Sequence, residues 1–182
     1  MPRPCTWPTL TAKYLIELLT QFVEKTDSSV DLLLVGAVAL HAHGISDRAT
    51  RGIDAEIDGP LVPVLDFLKT HQVPADLTQN FSGWSVVSMP PGYRDRATDL
   101  INQPHLRMRV LAPIDFVIAK LRRGTDLDLD DALLMARHNR LSADMIQASA
   151  RAALAASPQD TGLFLFQKTV DIFCKSLSVP TP

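Results

Sequence analysis

Apolar residues at Leu10, Tyr14, Leu15, Leu18, Leu19, Phe22 and Val23 recur with the 3.6-residue period of a helix that buries one face, and Thr9 stands where its cap would be. The pattern then changes. Leu32-Leu33-Leu34-Val35 is a continuous apolar run, which predicts an interior strand covered on both faces. Gly36 permits a sharp turn, Ala37 to His43 predicts a short helix, and Gly44 sits where a left-handed cap would close it. From Ile53 to Ile57 the apolar residues alternate with Asp54 and Glu56, the period of a strand, so the two carboxylates share one face.

Gly59-Pro60 ends that strand, and Leu61 to Lys69 predicts a helix packed through Val64, Leu65 and Leu68, with Pro63 in its first turn. Trp84 to Val87 predicts a third strand, followed by a rigid turn at Met89-Pro90-Pro91-Gly92-Tyr93. Leu106, Met108 and Val110 alternate with Arg107 and Arg109, which predicts a half-exposed strand over Leu106 to Leu111. Thereafter the helical period takes over. Pro113 opens a helix through Leu121 and Gly124 breaks it; Asp128 is the expected cap of the next, and Ser142 caps a further helix to about Ala155. Ser157-Pro158 opens a last one carrying Leu163, Phe166, Val170, Phe173 and Leu177. The chain is therefore α/β (α+β): a mixed sheet flanked by helices over residues 1–140, with C-terminal helices over 141–182 packed on the same domain.

Composition narrows the function classes. A chain of 182 residues, 46% hydrophobic and 21% charged, can bury a core as one domain. A net charge of -2 and a pI near 6.2 give no global attraction for nucleic acid or an anionic membrane, so an RNA-binding role for Arg94, Arg96, Arg107 and Arg109 is a minor reading. The two cysteines, Cys5 and Cys174, build neither a zinc site nor a disulfide framework, which points to a reducing compartment. Lys13 and Glu17 interrupt any apolar leader, and no stretch approaches the roughly 18 apolar residues of a membrane span. A soluble cytoplasmic protein is expected.

The chemistry concentrates between Gly36 and Glu56. Magnesium is held by one or two carboxylates together with phosphate oxygens and water, and Asp54 and Glu56 are a same-face pair suited to it. The plain alternative is a strand turning its charges to solvent. Arg48 and Arg51 flank Thr50 in the loop before that strand, in position to bind phosphate, as long polar loops also carry such residues. Lys120, Arg122 and Arg123 end one helix, where cations also complement the helix dipole. The run Asp126 to Asp131 lacks the glycine and the final glutamate of a calcium loop and is read as an acidic helix start. His41 and His43 are two apart on a helix and do not share a metal. Walker, Rossmann and serine-nucleophile motifs are absent.

The order Val35 to Gly44 (VGAVALHAHG) and then Arg48 to Asp54 (RATRGID) resembles the signature of the nucleotidyltransferase superfamily, especially the small bacterial branch that includes AbiEii-type toxins and uncharacterised relatives. Pro90 to Ala97 (PPGYRDRA) and Lys120 to Ala132 (KLRRGTDLDLDDA) resemble later motifs of that branch, so the likeness covers about residues 30 to 140. It implies that Gly36 and Ala37 with Arg48, Thr50 and Lys120 bind a nucleoside triphosphate, and that Asp54 and Glu56 hold magnesium. A third carboxylate is implied on a later strand. It further implies nucleotidyl transfer to a hydroxyl on RNA, protein or a small molecule, with an acceptor the sequence does not name.

Departures accompany the likeness. Gly36-Ala37 replaces the usual Gly-Gly or Gly-Ser, and Gly52 stands where the first family aspartate aligns, leaving Glu56 two residues off register. Trp84 to Met89, the expected later strand, holds no acid. The competing reading is a catalytically degenerate module of the same fold acting through protein partners, as a homodimer through the apolar C-terminal helices or with an antitoxin.

Overall fold

The computed structural model describes residues 10–45, 50 and 52–177. The chain forms two compact units: residues 1–79 with 99–108, and residues 80–98 with 109–182. Each is built from its own contacts. A five-stranded sheet runs in the order β3-β2-β1-β5-β4, with β1 Val30–Leu34, β2 Ile53–Asp58, β3 Ala75–Thr78, β4 Thr98–Gln103 and β5 Leu106–Val110. β1 and β2 are antiparallel, and β2 and β3 are parallel.

In the first unit, α1 spans Ala12–Thr26 and is capped by Thr11, whose hydroxyl accepts from the Tyr14 N–H at 3.2 Å. Thr9, the expected cap, lies outside the described residues, and Leu10 is buried ahead of the helix rather than within it. Leu15, Leu18, Leu19, Phe22 and Val23 form the buried stripe, while Tyr14 stays 42% exposed. α2 is a short helix, Val38–Ala42, and α3 spans Leu61–Thr70 with Val64 and Leu68 buried. The Phe22 and Phe67 rings meet at 5.3 Å, fastening α1 to α3.

The register divides the sheet into two unlike faces. Leu32 pairs with Ile57, Leu34 with Ala55, and Ala55 with Leu77, so one face is a continuous apolar layer, all of it buried. The other face carries Leu33 beside Glu56, Asp31 beside Asp58, and Asp54 beside Asp76. Burial of the first face supplies the hydrophobic drive. The second face gathers the carboxylates.

Trp84 to Val87 does not form the expected third strand. Phe81–Trp84 is a turn of 3-10 helix, and the Val87 carbonyl accepts from Arg122 Nε at 2.6 Å while the Ser88 N–H donates to Ser157 Oγ at 2.8 Å. The backbone groups that a ladder would need are taken by side chains. The third strand is instead Ala75–Thr78, with β4 and β5 following on either side of the turn at Pro104-His105.

The second unit is built around α4, Pro113–Arg123, packed by α5 (Asp126–His138), α6 (Ala143–Ala155) and α7 (Gly162–Leu177). Pro113 opens α4 and Gly124, at φ +65°, closes it. Every residue from Asp115 to Leu121 is buried, which explains a helix without an outward polar stripe. Thr125, not Asp128, caps α5: its hydroxyl accepts from the Asp128 N–H at 3.2 Å and donates to the Asp128 carboxylate at 2.6 Å. Ser142 caps α6, and α7 begins at Gly162, four residues beyond Pro158. Among the described residues no helix is long and apolar enough to cross a membrane.

Candidate active site

The turn after β1 is tied to β2 by its backbone. The Val35 and Gly36 N–H groups both donate to the Asp54 carbonyl, at 2.9 and 3.1 Å. The Asp54 side chain lies directly against Gly36, so a Cβ at position 36 would stand 2.6 Å from Oδ2 and 2.8 Å from the Asp54 Cβ. Those separations are below any real carbon contact. Gly36 is therefore required by close approach, in a turn that needs no left-handed backbone at that residue. Ala37 leads into α2 without a side-chain cap.

Asp54 and Glu56 project to the same side of β2, as the alternation predicts. Glu56 is not turned to solvent: it is 8% exposed, set beside Leu33 of β1 and Thr78 of β3. Asp54 is half-buried, and its partner on the parallel strand is Asp76, an exposed residue. Register partners on adjacent strands stand roughly 4.8 Å apart. This brings a third acid to the face of Asp54 and Glu56, on a later strand, and the sequence reading did not find it. Its signal was slight: a four-residue strand behind Pro74, in which Ala75 and Leu77 alternate with Asp76 and Thr78.

Gly52 immediately precedes β2. A Cβ there would stand 2.9 Å from the Pro74 carbonyl oxygen, which also accepts from the Ile53 N–H at 3.0 Å. The obstacle is backbone engaged in a hydrogen bond and cannot swing aside. An aspartate in this position is incompatible with the way β3 enters the sheet.

Thr50 is buried, and its hydroxyl donates to the Gly52 carbonyl at 3.1 Å, closing the local turn. Arg48, and Arg51 beside it, lie outside the described residues. Lys120 belongs to the second unit, where its ammonium is 3.1 Å from Asp128 Oδ1 and 2.9 Å from Asp131 Oδ2, all three side chains buried. Burial alone would raise the Asp128 carboxyl. The Thr125 hydroxyl and the charges of Lys120 and Arg123 outweigh that and hold it below the ordinary carboxylate value. The acidic run from Asp126 is thus a capped helix start with an internal ion cluster.

The other basic residues are committed in a similar way. Arg96 forms a bidentate pair with Asp115 at 2.9 and 2.8 Å. Arg107 pairs with Asp99 at 2.8 Å, with Asp31 at 3.9 Å, and Arg109 donates to the Arg94 carbonyl at 3.0 Å. Arg122 donates to the Ser82 and Val87 carbonyls, and burial pushes its guanidinium down to about 10, still a cation at neutral pH.

Among the described residues, no three acidic, histidine or cysteine side chains lie close enough to enclose a metal ion on their own. Magnesium does not require that, because it takes one or two carboxylates and completes its octahedron with water and substrate phosphates. Asp54, with Asp76 beside it and Glu56 along the same face, offers hard oxygen donors of the right type. Their chemistry, hard carboxylate oxygens, is the kind that magnesium takes alongside water and phosphate.

No curated protein and no solved structure matches the chain significantly. A family profile does, over residues 12–162, which takes in the Gly36 turn, all five strands and helices α1 to α6. The chain belongs to the family described as nucleotidyltransferase of unknown function (DUF6036).

Proposed function

We propose that the first unit binds a magnesium nucleoside triphosphate at the Gly36 turn and transfers its nucleotidyl group to an acceptor hydroxyl. The observation that carries this reading is the seating of the Asp54 carboxylate on Gly36 with Asp76 in register beside it. Asp54 is the principal metal carboxylate, Asp76 the second, and Glu56 supports them from the buried end of the same face. The small residues Gly36 and Ala37 let a phosphate approach the turn, and Arg48, in the loop before β2, is the cation assigned to the phosphate site. Thr50 closes the turn that leads into β2. Lys120, set between Asp128 and Asp131, anchors the helices of its own unit.

In the transfer, the acceptor hydroxyl gives up its proton to water, its oxygen bonds to the α-phosphorus, and the bond to pyrophosphate breaks with its electron pair leaving on pyrophosphate. Bound magnesium would neutralise charge on the phosphates as this occurs. The carboxylates of the chain do the positioning.

Calorimetric titration with magnesium and each of the four nucleoside triphosphates tests the reading. Binding is expected in the native chain and is expected to fall at least tenfold in Asp54→Asn and Asp76→Asn; no binding of any nucleotide at millimolar concentration would overturn it. The toxin-like setting belongs to the same proposal, and induced expression is expected to slow growth in a manner relieved by Asp54→Asn.

A second reading has its own support. Gly52 excludes an aspartate where the family's first one aligns, as expected of a degenerate module that binds without transferring. Nucleotide binding without pyrophosphate release toward RNA, protein or small-molecule hydroxyls would select this reading.

A further inference from the structure

The sheet ends on β3, and no described strand pairs with the outer edge of that strand. Its hydrogen-bonding sense follows from the register. The Ile53 N–H donates to the Pro74 carbonyl and Ile53 is the partner of Ala75, so Pro74 and Asp76 turn their backbone groups toward β2, while Ala75 and Leu77 turn theirs to the outer edge. Such a row of N–H and C=O groups matches another extended backbone.

The two faces of β3 differ beside this edge. Asp76, exposed, points to the side of Asp54 and Glu56, whereas Ala75 and Leu77 point to the apolar side. Ala75 also lines a groove of about 470 Å³, formed by Leu65, Asp66 and Lys69 of α3 with Val73 and Pro74 leading into β3. We infer that the acceptor is a protein: an extended polypeptide segment adds to β3 as a further strand, with a serine, threonine or tyrosine in register with Asp76 and an apolar residue on either side of it. Adjacent strands lie roughly 4.8 Å apart, so the hydroxyl residue stands beside Asp76 on the face of Asp54, and its two neighbours, turned to the opposite face, meet Leu77 and the groove. Charge favours this acceptor over RNA. A polyanion would approach across Asp54, Glu56 and Asp76, in a chain of net charge -2, and a polypeptide meets no such repulsion. The hydroxyl gives up its proton to water, its oxygen bonds to the α-phosphorus of the nucleoside triphosphate, and pyrophosphate leaves with the electron pair of the broken bond. The inference rests on the nucleotidyl-transfer reading and adds to it the class of acceptor.

The test incubates the full chain with magnesium and each α-labelled nucleoside triphosphate over an array of synthetic peptides, each with one central serine, threonine or tyrosine between apolar or between charged neighbours, with total RNA in parallel. At least tenfold more label is expected on the peptides with apolar neighbours. Ala75→Pro removes an N–H from the outer edge and none from the ladder to β2, and Leu65→Glu charges the groove; both positions are half-buried. Each substitution is expected to lower peptide labelling at least tenfold while the magnesium-nucleotide affinity measured by calorimetry keeps its native value. Label on RNA alone, peptide labelling indifferent to the neighbours or to either substitution, or nucleotide bound with no peptide labelled would overturn the inference and leave nucleotide binding standing. A chain that binds no nucleotide would overturn both readings.

Discussion

Gly36 and Asp54 form one unit of structure: the Asp54 carbonyl accepts from the Gly36 N–H at 3.1 Å, and its carboxylate occupies the space a side chain at 36 would fill. The backbone contact fixes the turn and the side-chain contact fixes the acid. A small change at the glycine therefore acts on both the fold and the proposed metal ligand.

Gly36→Ala is expected to destabilise the chain by about 1–3 kcal/mol, the range for one carbon forced into an occupied space. Because the obstructing atoms are those of Asp54, magnesium-nucleotide affinity is expected to fall with it. Urea unfolding and calorimetry on the same protein check the two effects. Stability and affinity both equal to the native values would show that the turn yields without moving Asp54.

Gly52→Asp provides a contrasting case. If Gly52 were merely a lost ligand, restoring aspartate would improve metal binding. The Pro74 carbonyl at 2.9 Å from the new Cβ argues the opposite. Reduced thermal stability and no gain in magnesium affinity are expected in thermal melts run with and without magnesium; a stabilised, tighter-binding variant would return the metal site to position 52.

The legibility of this site in the sequence follows from which forces are local. Alternation at Asp54 and Glu56 and the proline and glycine ends of α4 depend on neighbours within a few residues, and their elements are readable to within a turn; the cap of α5 falls on Thr125, one turn before the expected Asp128. Asp76 was hidden because β3 has four residues and becomes a strand only by pairing with β2. Trp84 to Val87 has strand-like composition, but the Val87 carbonyl is taken by Arg122 and the adjoining Ser88 N–H by Ser157, distant residues that no local pattern reveals. The ion cluster of Lys120 was missed for the same reason: a cation at a helix end suits the dipole, and only the packing of α5 shows that it is buried between two aspartates.

Lys120→Met is expected to cost about 3–5 kcal/mol, because it leaves Asp128 and Asp131 buried without their shared cation. Lys120→Arg is expected to recover only part of this, since a planar fork does not fit a point-charge site between two carboxylates. Chemical denaturation of the three proteins orders them. A Lys120→Met chain as stable as the native one would show that the buried cluster does not hold the helices together.

Acid titration separates the Asp128 contribution. Its folded-state carboxyl is held below the ordinary value, so the unfolded chain takes up the proton first as the pH falls. The stabilisation is therefore complete above the unfolded carboxylate value of about 3.9 and is lost as the pH drops through the lower folded one. Asp128→Asn removes both the stabilisation and its proton dependence. The native chain is expected to be the more stable of the two at neutral pH, and the gap between their unfolding free energies is expected to close as the pH falls from about 4 toward 2. Denaturant unfolding at a series of pH values measures that gap, and a constant difference across the series would show that the buried cluster does not set the ionisation of Asp128.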